Sequence, residues 1–422
     1  MQRIDVSAIN LSNKVKVLNI LWENGYAYRA EIARMTDLSQ PTVMKIIDEF
    51  KNLGLVNITG KGVSSGGKPP LMLQFNKDAY YIIGVDINEY RIEIILMDLS
   101  FSIVDKVIQD NRDTDTPDSI LNRVIYEIKS LIQKNADKED RIIGIGLGIA
   151  GLVNRSKGIV TYASELGWHN VNVLKYFEKS FDAEIVIDDS TRAFALEEKL
   201  FGRGKGINNF LCLNLGTGIG SALVMDSKLY YGGSQSSCQI GHMTVELNGE
   251  PCFCGNSGCL TLHASGEAIT KAAKEYAMSH RNSKILDLVY GDINKIDLNI
   301  VFEAAKNGDK EALDIIEEAA NYLGMAVASV INLVDPELII CEGKISRLSN
   351  IYMDNFKKAI SQRKMQLIGR DVEIVVADDK SCSGSIGAAA FIFNNFIKRG
   401  GEIESIVKIK KNNEEIGSES SS

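Results

Sequence analysis

The 422-residue sequence contains no apolar run long enough to cross a bilayer, and its first residues lack a basic segment followed by an apolar one. These absences argue against a membrane or secreted protein, so we expect a cytoplasmic protein with no membrane partner. Cysteine is scarce, with seven residues in the chain. Because three of the seven form a metal-type cluster, a reducing compartment fits better than a disulfide framework.

The net charge of −8 argues against nucleic-acid binding by the chain as a whole. The charge is unevenly spread, however. Residues 1–78 contain ten Lys and Arg against seven Asp and Glu, and the rest of the chain is strongly acidic. A mildly basic head on an acidic body indicates that only the head contacts DNA.

Residues 1–76 show the pattern of a winged helix-turn-helix domain. An apolar helical stripe ends at Asn24-Gly25, and a short helix covers residues 29–36. Ser39 can cap a third helix with Pro41 in its first turn. Apolar segments at 55–58 and 71–75 predict two strands around a Gly/Ser-rich wing without acidic residues. The alternative is a three-helix bundle without a DNA-binding role.

In the winged helix-turn-helix interpretation, one set of side chains faces a double-stranded DNA operator. The start of the recognition helix would present these residues to base edges: Ser39, Gln40, Thr42 and Lys45. Three lysines would bind phosphates: Lys14, Lys61 and Lys68. Because the basic excess is modest, we expect a homodimer or tetramer to reach useful affinity.

A cluster in the middle of the chain has the donors of a zinc site. It comprises His242, Cys252, Cys254 and Cys259, so one imidazole and three thiolates can form a tetrahedral shell. Gly255 and Gly258 allow the loop to double back. Four protein ligands leave no open coordination position, so we expect a structural Zn²⁺ ion. The alternative is three buried cysteines without a metal.

Residues 77–399 predict an α/β domain made of two similar halves. Each half opens with two β-branched segments, at 81–87 and 91–98 in the first half and at 210–215 and 221–225 in the second. This pattern indicates a duplicated fold with a cleft between the lobes. Residues 400–422 are polar, and we expect a disordered tail there.

The chain resembles the ROK family of sugar kinases and repressors. The resemblance rests on the loop Gly216-Thr217-Gly218, the turn Ile240-Gly241-His242 and the cysteine cluster, in that order. The head and the segment Ser65-Gly66-Gly67-Lys68-Pro69-Pro70 are similar to the repressor branch, which includes xylose and N-acetylglucosamine repressors. The resemblance implies an actin-like, hexokinase-like (ribonuclease H-like) duplicated fold with a sugar site and an ATP site in the interlobe cleft.

Compared with the kinases of this family, the nucleotide elements are altered. The first phosphate loop keeps Asp86 but lacks the glycine and threonine of the kinases: Asn88 has a side chain where the backbone should approach phosphate, and Glu89 adds a negative charge nearby. The second loop, with Gly216, Thr217 and Gly218, is intact. A late glycine triplet is replaced by Glu342-Gly343-Lys344. The resemblance places the catalytic base at Asp189, which we expect to act as a sugar ligand or a vestigial base.

The sugar pocket implied by the resemblance keeps two residues and changes four. Asp189 and His242 match the kinases, whereas the changed positions are Glu165, Asp188, Gln239 and Thr261. These side chains still form hydrogen bonds, so a polyol-like ligand fits, but the glucose pattern is not preserved.

Three hypotheses follow. The first is a DNA-binding transcriptional regulator, a repressor of carbohydrate genes controlled by a small ligand such as a sugar. The second is an ATP-dependent sugar kinase, glucokinase-like, with an added DNA-binding domain. The third is a scaffold that binds another protein and keeps a vestigial pocket.

Overall fold

A computed structural model of the chain describes residues 6–61, 71–112, 114–280, 283–365, 371–378 and 383–410. Two of the predicted phosphate contacts cannot be located by their side chains. Lys68 lies outside the described residues, and only the backbone of Lys61 is described. No helix in these ranges combines the length and apolar character needed to cross a membrane.

The helices and strands are numbered in chain order. The helices are α1 Val6–Asn24, α2 Arg29–Thr36, α3 Gln40–Asn52, α4 Pro117–Lys134, α5 Val173–Ser180, α6 Ser190–Phe201, α7 Thr261–Ala264, α8 Gly266–Ser279, α9 Lys284–Leu288, α10 Leu298–Lys306, α11 Lys310–Val334, α12 Lys344–Leu348, α13 Asn350–Arg363 and α14 Ser383–Lys398. The strands are β1 Tyr26–Tyr28, β2 Val56–Lys61, β3 Leu71–Phe75, β4 Tyr81–Ile87, β5 Arg91–Asp98, β6 Ile103–Asp110, β7 Ile142–Ile149, β8 Leu152–Asn154, β9 Ile159–Ala163, β10 Trp168–Asn172, β11 Phe181–Asp182, β12 Ile185–Asp189, β13 Phe210–Leu215, β14 Ile219–Met225, β15 Lys228–Leu229, β16 Leu338–Glu342, β17 Glu373–Val376 and β18 Lys408–Ile409.

The head has the winged helix-turn-helix architecture that the sequence predicts. Helices α1–α3 pack with an antiparallel sheet of order β1-β3-β2, in which β1 lies between α1 and α2 in the chain and β2 and β3 are the strands of the wing. Ser39 caps α3, because its Oγ accepts a hydrogen bond of 3.3 Å from the Thr42 backbone N–H. The inward face of α3 consists of Val43, Ile46, Ile47 and Phe50.

The chain forms two compact units, residues 1–193 with 382–422 and residues 194–381. The main sheet of the first unit has the order β12-β7-β4-β5-β6, and that of the second has the order β15-β14-β13-β16-β17. In each sheet, three strands form an antiparallel meander, and two parallel strands extend the sheet from the first strand of that meander. The predicted duplicated α/β fold is therefore confirmed.

Helix α14 lies unusually close to the sheet of the first unit because glycines face it. A Cβ atom added at Gly146 would lie 1.9 Å from the Ala388 carbonyl oxygen, and one added at Gly84 would lie 2.0 Å from the Ser385 carbonyl oxygen. Such contacts cannot be accommodated in a close-packed interior. Glycine is therefore required at both positions for α14 to pack this closely on the sheet.

The opposite end of α14 packs against the head and the β5–β6 turn. The Trp22 ring lies 4.9 Å from the Phe393 ring, and the Phe101 ring lies 4.9 Å from the same Phe393 ring, as measured between centroids. The Trp22 indole Nε1 donates a hydrogen bond of 2.9 Å to the Leu99 carbonyl oxygen. The head and the first lobe therefore share one aromatic core.

The chain beyond α14 is ordered as far as residue 410, so the prediction of a disordered tail from residue 400 is wrong for residues 400–410. Gly401 lies against Leu55 and Phe50 of the head. Val407 is buried, and β18 pairs with β11, which precedes it by more than 200 residues. This distant strand pairing cannot be read from local polarity. Residues 411–422 lie outside the described residues.

Replacing Gly146 with alanine tests the importance of the α14 contact. We expect Gly146→Ala to lower the free energy of unfolding by about 1–3 kcal/mol, because overpacking forces the helix away from the sheet. Thermal unfolding followed by circular dichroism measures the effect. Gly233→Ala is the control, because Gly233 has no atom within 4 Å of the added Cβ. Equal melting temperatures for the two variants would contradict the assignment.

Candidate functional site

The recognition helix α3 presents most of its predicted DNA contacts to solvent. Ser39, Gln40 and Lys45 are exposed and Thr42 is half-buried. The hydroxyl groups of Ser39 and Thr42 are 2.8 Å apart and bond to each other. Gln40 and Lys45 are therefore the predicted residues whose polar groups are presented most directly to a groove.

Lys14 does not have the position expected of a phosphate contact. Its ammonium group lies 2.9 Å from a Glu49 carboxylate oxygen and 3.0 Å from a Glu402 carboxylate oxygen. Hydrogen bonds to Glu49 and Glu402 raise the pKa of Lys14. The charge of Lys14 is thus compensated within the protein, and its clearest role is to join α1 to α3 and to the segment after α14.

The predicted metal ligands are brought together in the second unit. One ligand atom from each of His242, Cys252, Cys254 and Cys259 lies within 4.8 Å of the other three. The Cys254 and Cys259 sulfurs are 3.6 Å apart, and the Cys252 sulfur is 3.7 Å from His242 Nδ1. These distances are too long for a disulfide of about 2.05 Å. They match the edge of about 3.8 Å of a tetrahedron with metal–sulfur bonds of about 2.3 Å.

The chemistry of the donor set fits a metal ion. Burial, together with hydrogen bonds to Cys254 and Cys252, raises the pKa of the Cys259 thiol to about 12. Three adjacent thiols cannot all ionise unless a cation compensates their charge. Burial also lowers the pKa of His242, which favours the neutral imidazole that binds metals. The cluster can therefore hold a metal ion.

The cluster also positions the predicted ligand residues of the second unit. Gln239 precedes the turn Ile240–His242, and Thr261 begins α7 two residues after Cys259. The Leu260 backbone N–H donates to the Met243 carbonyl oxygen over 2.9 Å. The four-residue cluster and this bond bring the two segments together, so Gln239, His242 and Thr261 lie on one connected framework.

Asn88 closes the first phosphate loop, the turn between β4 and β5. Its Oδ1 accepts hydrogen bonds from the Tyr90 and Arg91 backbone N–H groups at 3.0 and 3.1 Å, and its Nδ2 donates to Asp86 at 2.9 Å. A phosphate-binding loop needs backbone N–H groups directed at its ligand. In this turn the Tyr90 and Arg91 N–H groups donate to Asn88 instead.

A row of buried carboxylates crosses the sheet of the first unit. Gly148 pairs with Asp188 on one side and with Asp86 on the other, and Asp86 pairs with Glu93. Paired residues point to the same face of a sheet, here the face covered by α14. Asp188, Asp86 and Glu93 are 0%, 8% and 2% exposed. The row lies at the end of the strands where the resemblance implies a phosphate site.

Asp188 does not occupy the ligand-accessible position that the sequence predicts. Arg192 Nη1 donates to its Oδ1 at 2.9 Å, and Arg155 Nε lies 3.5 Å from its Oδ2. Side chains alternate along β12, so Asp188 faces the core and Asp189 faces the opposite side. The charge of Asp188 is balanced by arginines.

Asp189 combines the role of a helix cap with that of a ligand candidate. Its Oδ1 accepts hydrogen bonds from the Thr191 and Arg192 backbone N–H groups at 2.7 and 3.1 Å, at the start of α6. These bonds leave the other carboxylate oxygen, Oδ2, uninvolved in the cap. Burial raises the pKa of Asp189 to about 6, while the charge of Arg192 opposes this shift and that of Asp188 adds to it. A carboxyl group with this pKa can accept a proton near neutral pH.

The second phosphate loop joins β13 to β14. The backbone N–H groups of Gly266 and Glu267 donate to the carbonyl oxygens of Gly216 and Thr217 at 2.9 and 3.1 Å. The start of α8 therefore supports the loop rather than facing an open phosphate site. Gly343 keeps a positive φ of 95° and packs on the Leu215 carbonyl oxygen, so this glycine serves the fold.

Glu165 lies in the turn between β9 and β10, beside the fully buried Trp168. It is half-buried, which is compatible with a ligand contact. The sequence interpretation did not single out Arg192 and Arg155, the partners of Asp188. The four-residue spacing of Asp188 and Arg192 is the one local signal that could have indicated a pair.

These features define a class of protein: a winged helix-turn-helix head joined to a duplicated α/β fold of the sugar-kinase type. The chain belongs to the ROK family. The ROK family model matches residues 82–395, and a winged helix-turn-helix DNA-binding model matches residues 12–57.

The similar proteins differ in how much of this chain they match: the repressors match the head as well as the ROK domain, and the kinases match a smaller share of the chain. A xylose repressor of Caldicellulosiruptor bescii is 28% identical over 91% of this chain and 96% of its own length. A glucokinase of Thermotoga maritima is 30% identical over 74% of this chain and 96% of its own length. The crystal structure of a ROK family transcriptional regulator, a homologue of the Escherichia coli MLC protein, superposes with a TM-score of 0.78 and 26% identity over 93% of this chain and 98% of its own.

The buried Asp86 predicts an unusual dependence of stability on pH. Burial raises its pKa to about 7 from an ordinary value near 3.8, Asn88 lowers it and Glu93 raises it. The folded state therefore favours the protonated group, and stability falls as pH rises from about 4 to about 7. Asp86→Asn removes this charge while its amide oxygen still accepts from Asn88, so we expect a higher melting temperature near pH 8 and a smaller gain near pH 5.

Asp98→Asn is the matched control, because Asp98 is equally buried but has an ionic partner. Its carboxylate accepts from Lys77 Nζ at 2.8 Å and from the Ser100 and Ser102 backbone N–H groups at 2.8 and 3.0 Å. Asp98→Asn should lower the melting temperature at both pH values. If Asp86→Asn instead lowers the melting temperature near pH 8, the ionised Asp86 does not destabilise the folded state.

Proposed function

We propose that this protein is a transcriptional repressor of carbohydrate genes whose binding to an operator is controlled by a small ligand, most simply a sugar. The observation that supports this most directly is the closed first phosphate loop. Asn88 accepts hydrogen bonds from two backbone N–H groups of the turn that the resemblance assigns to phosphate binding, in a chain with a DNA-binding head. Loss of nucleotide binding with retention of the fold is expected of a sensor rather than an enzyme.

The proposed ligand contacts differ between the units. In the first unit they are Asp189 and Glu165, and Asp188 serves to position Arg192. In the second unit they are Gln239, His242 and Thr261. A xylose repressor is among the relatives that match across the head, which supports a sugar as ligand. Hydrogen-bonding side chains that remain at these positions suit hydroxyl groups.

We further infer that the metal is zinc and that it is structural. Three thiolates and one imidazole form a preferred zinc shell, and no coordination position stays open for a reacting water. With Nδ1 of His242 directed at the cluster, Nε2 remains for a ligand hydroxyl. We also propose a cytoplasmic homodimer or tetramer, because the small basic excess of one head gives weak attraction to phosphates.

A thermal-shift screen of the purified protein tests the ligand. We expect one compound among xylose, glucose, N-acetylglucosamine and their phosphates to raise the melting temperature, and ATP with Mg²⁺ to have no effect. Ligand at one hundred times its dissociation constant adds about 2.7 kcal/mol of stability. The same compound should change the retention of the protein on its operator in a mobility-shift assay.

Asp189→Asn should abolish most of this shift, whereas Asp182→Asn, a change at an exposed aspartate of the same unit, should keep it. Stabilisation by ATP with Mg²⁺, followed by turnover with a sugar, would instead support the alternative, an ATP-dependent sugar kinase with an added DNA-binding domain. Binding of neither class of compound would favour the scaffold hypothesis.

Metal analysis tests the zinc site. We expect one zinc ion per chain and a loss of both zinc and ligand affinity in Cys259→Ser, because the cluster positions the segments with Gln239 and Thr261. Cys238→Ser is the control, since Cys238 lies outside the cluster. Unchanged ligand affinity in a zinc-free Cys259→Ser protein would separate the metal from the ligand site.

A further inference from the structure

The solvent face of the recognition helix contains a large apolar residue. Helix α3 buries the face opposite to Gln40, Lys45 and Met44. Met44 follows Gln40 by four residues, so the two side chains are neighbours on this face. The Met44 side chain is 40% exposed, in the middle of the surface that faces DNA.

Met44 also has a defined cationic neighbour. Arg29 Nη1 lies 3.6 Å from the Met44 sulfur. Arg29 is exposed and begins α2, the helix that precedes the recognition helix in the motif. The contact directs the thioether towards the start of α2 and places a guanidinium group beside it. An apolar group and a positive charge are therefore presented together on the DNA-facing surface.

We propose that Met44 recognises the C5-methyl group of a thymine in the major groove and that Arg29 binds a backbone phosphate beside it. This inference rests on the DNA-binding function. The methyl group of thymine is the apolar feature of the major groove, and apolar side chains contact it. Phosphate contacts by arginine fix the register of the protein but do not distinguish bases.

The two residues have different consequences for binding. A thioether provides no strong hydrogen-bond donor or acceptor, so Met44 contributes to the choice of base through contact with the methyl group. Gln40 and Lys45 on the same face suit adenine and guanine through hydrogen bonds. The three side chains together would specify a short sequence that includes thymine.

The test uses the full chain and DNA from a random duplex library. The enriched operator is resynthesised with each thymine replaced in turn by deoxyuridine, which differs by the methyl group alone. We expect one thymine in each half-site at which this replacement weakens binding of the unmodified protein about fourfold, the value of one buried methyl group. In Met44→Ala the same replacement should have no further effect.

Two variants control for size and for general effects of exposed methionine. Met44→Gln keeps the length of the side chain but is polar, so it should lose the preference for thymine over deoxyuridine, whereas Met44→Leu should keep it. Met35→Ala removes a methionine that is 57% exposed on α2 and should leave the preference unchanged. Arg29→Gln should weaken all sequences alike and reduce the slope of affinity against salt by about one.

The outcomes separate this inference from the DNA-binding function itself. If Met44→Ala discriminates between the enriched operator and its deoxyuridine forms as strongly as the unmodified protein does, the role of Met44 is overturned. The DNA-binding function is then unaffected. An operator without a methyl-sensitive thymine would do the same. A library from which no sequence is enriched would contradict DNA binding and this inference together.

Discussion

The close contact between α14 and the glycine-lined sheet is the constraint on which the first unit depends. Gly84 and Gly146 permit a distance at which no other residue fits without displacement. One end of the helix covers the buried Asp86, where a Cβ at Gly384 would lie 2.6 Å from the carboxylate carbon. The other end packs on Trp22 of the head. A single helix therefore contacts both the buried Asp86 and the winged helix-turn-helix head.

The same contact also covers a row of buried carboxylates in the first unit. Within this row Arg192 balances the charge of Asp188, whereas Asp86 receives a hydrogen bond from the neutral Asn88 and burial keeps its pKa raised. In the second unit, a metal ion held by His242 and the three cysteines would join the turn at His242 to the start of α7. These contacts belong to the fold itself, and a fold alone does not determine the function that it carries.

Local patterns predicted the elements but not their distant partners. The strands 71–75 and 210–215 and the cap at Ser39 follow from β-branched segments and capping chemistry, and they match β3, β13 and α3. The metal cluster was predictable because its ligands lie within 18 residues. The neutralisation of Lys14 was not, because Glu402 is 388 residues away. The order of residues 400–410 likewise depends on a strand pairing that local polarity does not show.

Ligand control has to act on a head that shares its core with the first lobe. Turning the head alone would break the Trp22 hydrogen bond to Leu99, expose Phe393 and separate Lys14 from Glu402. Burying an aromatic side chain is worth about 1.5–3 kcal/mol, so this motion is costly. A ligand changes an equilibrium only through its different affinity for two states. The states it distinguishes should therefore keep the head packed on the first lobe through Trp22 and Lys14.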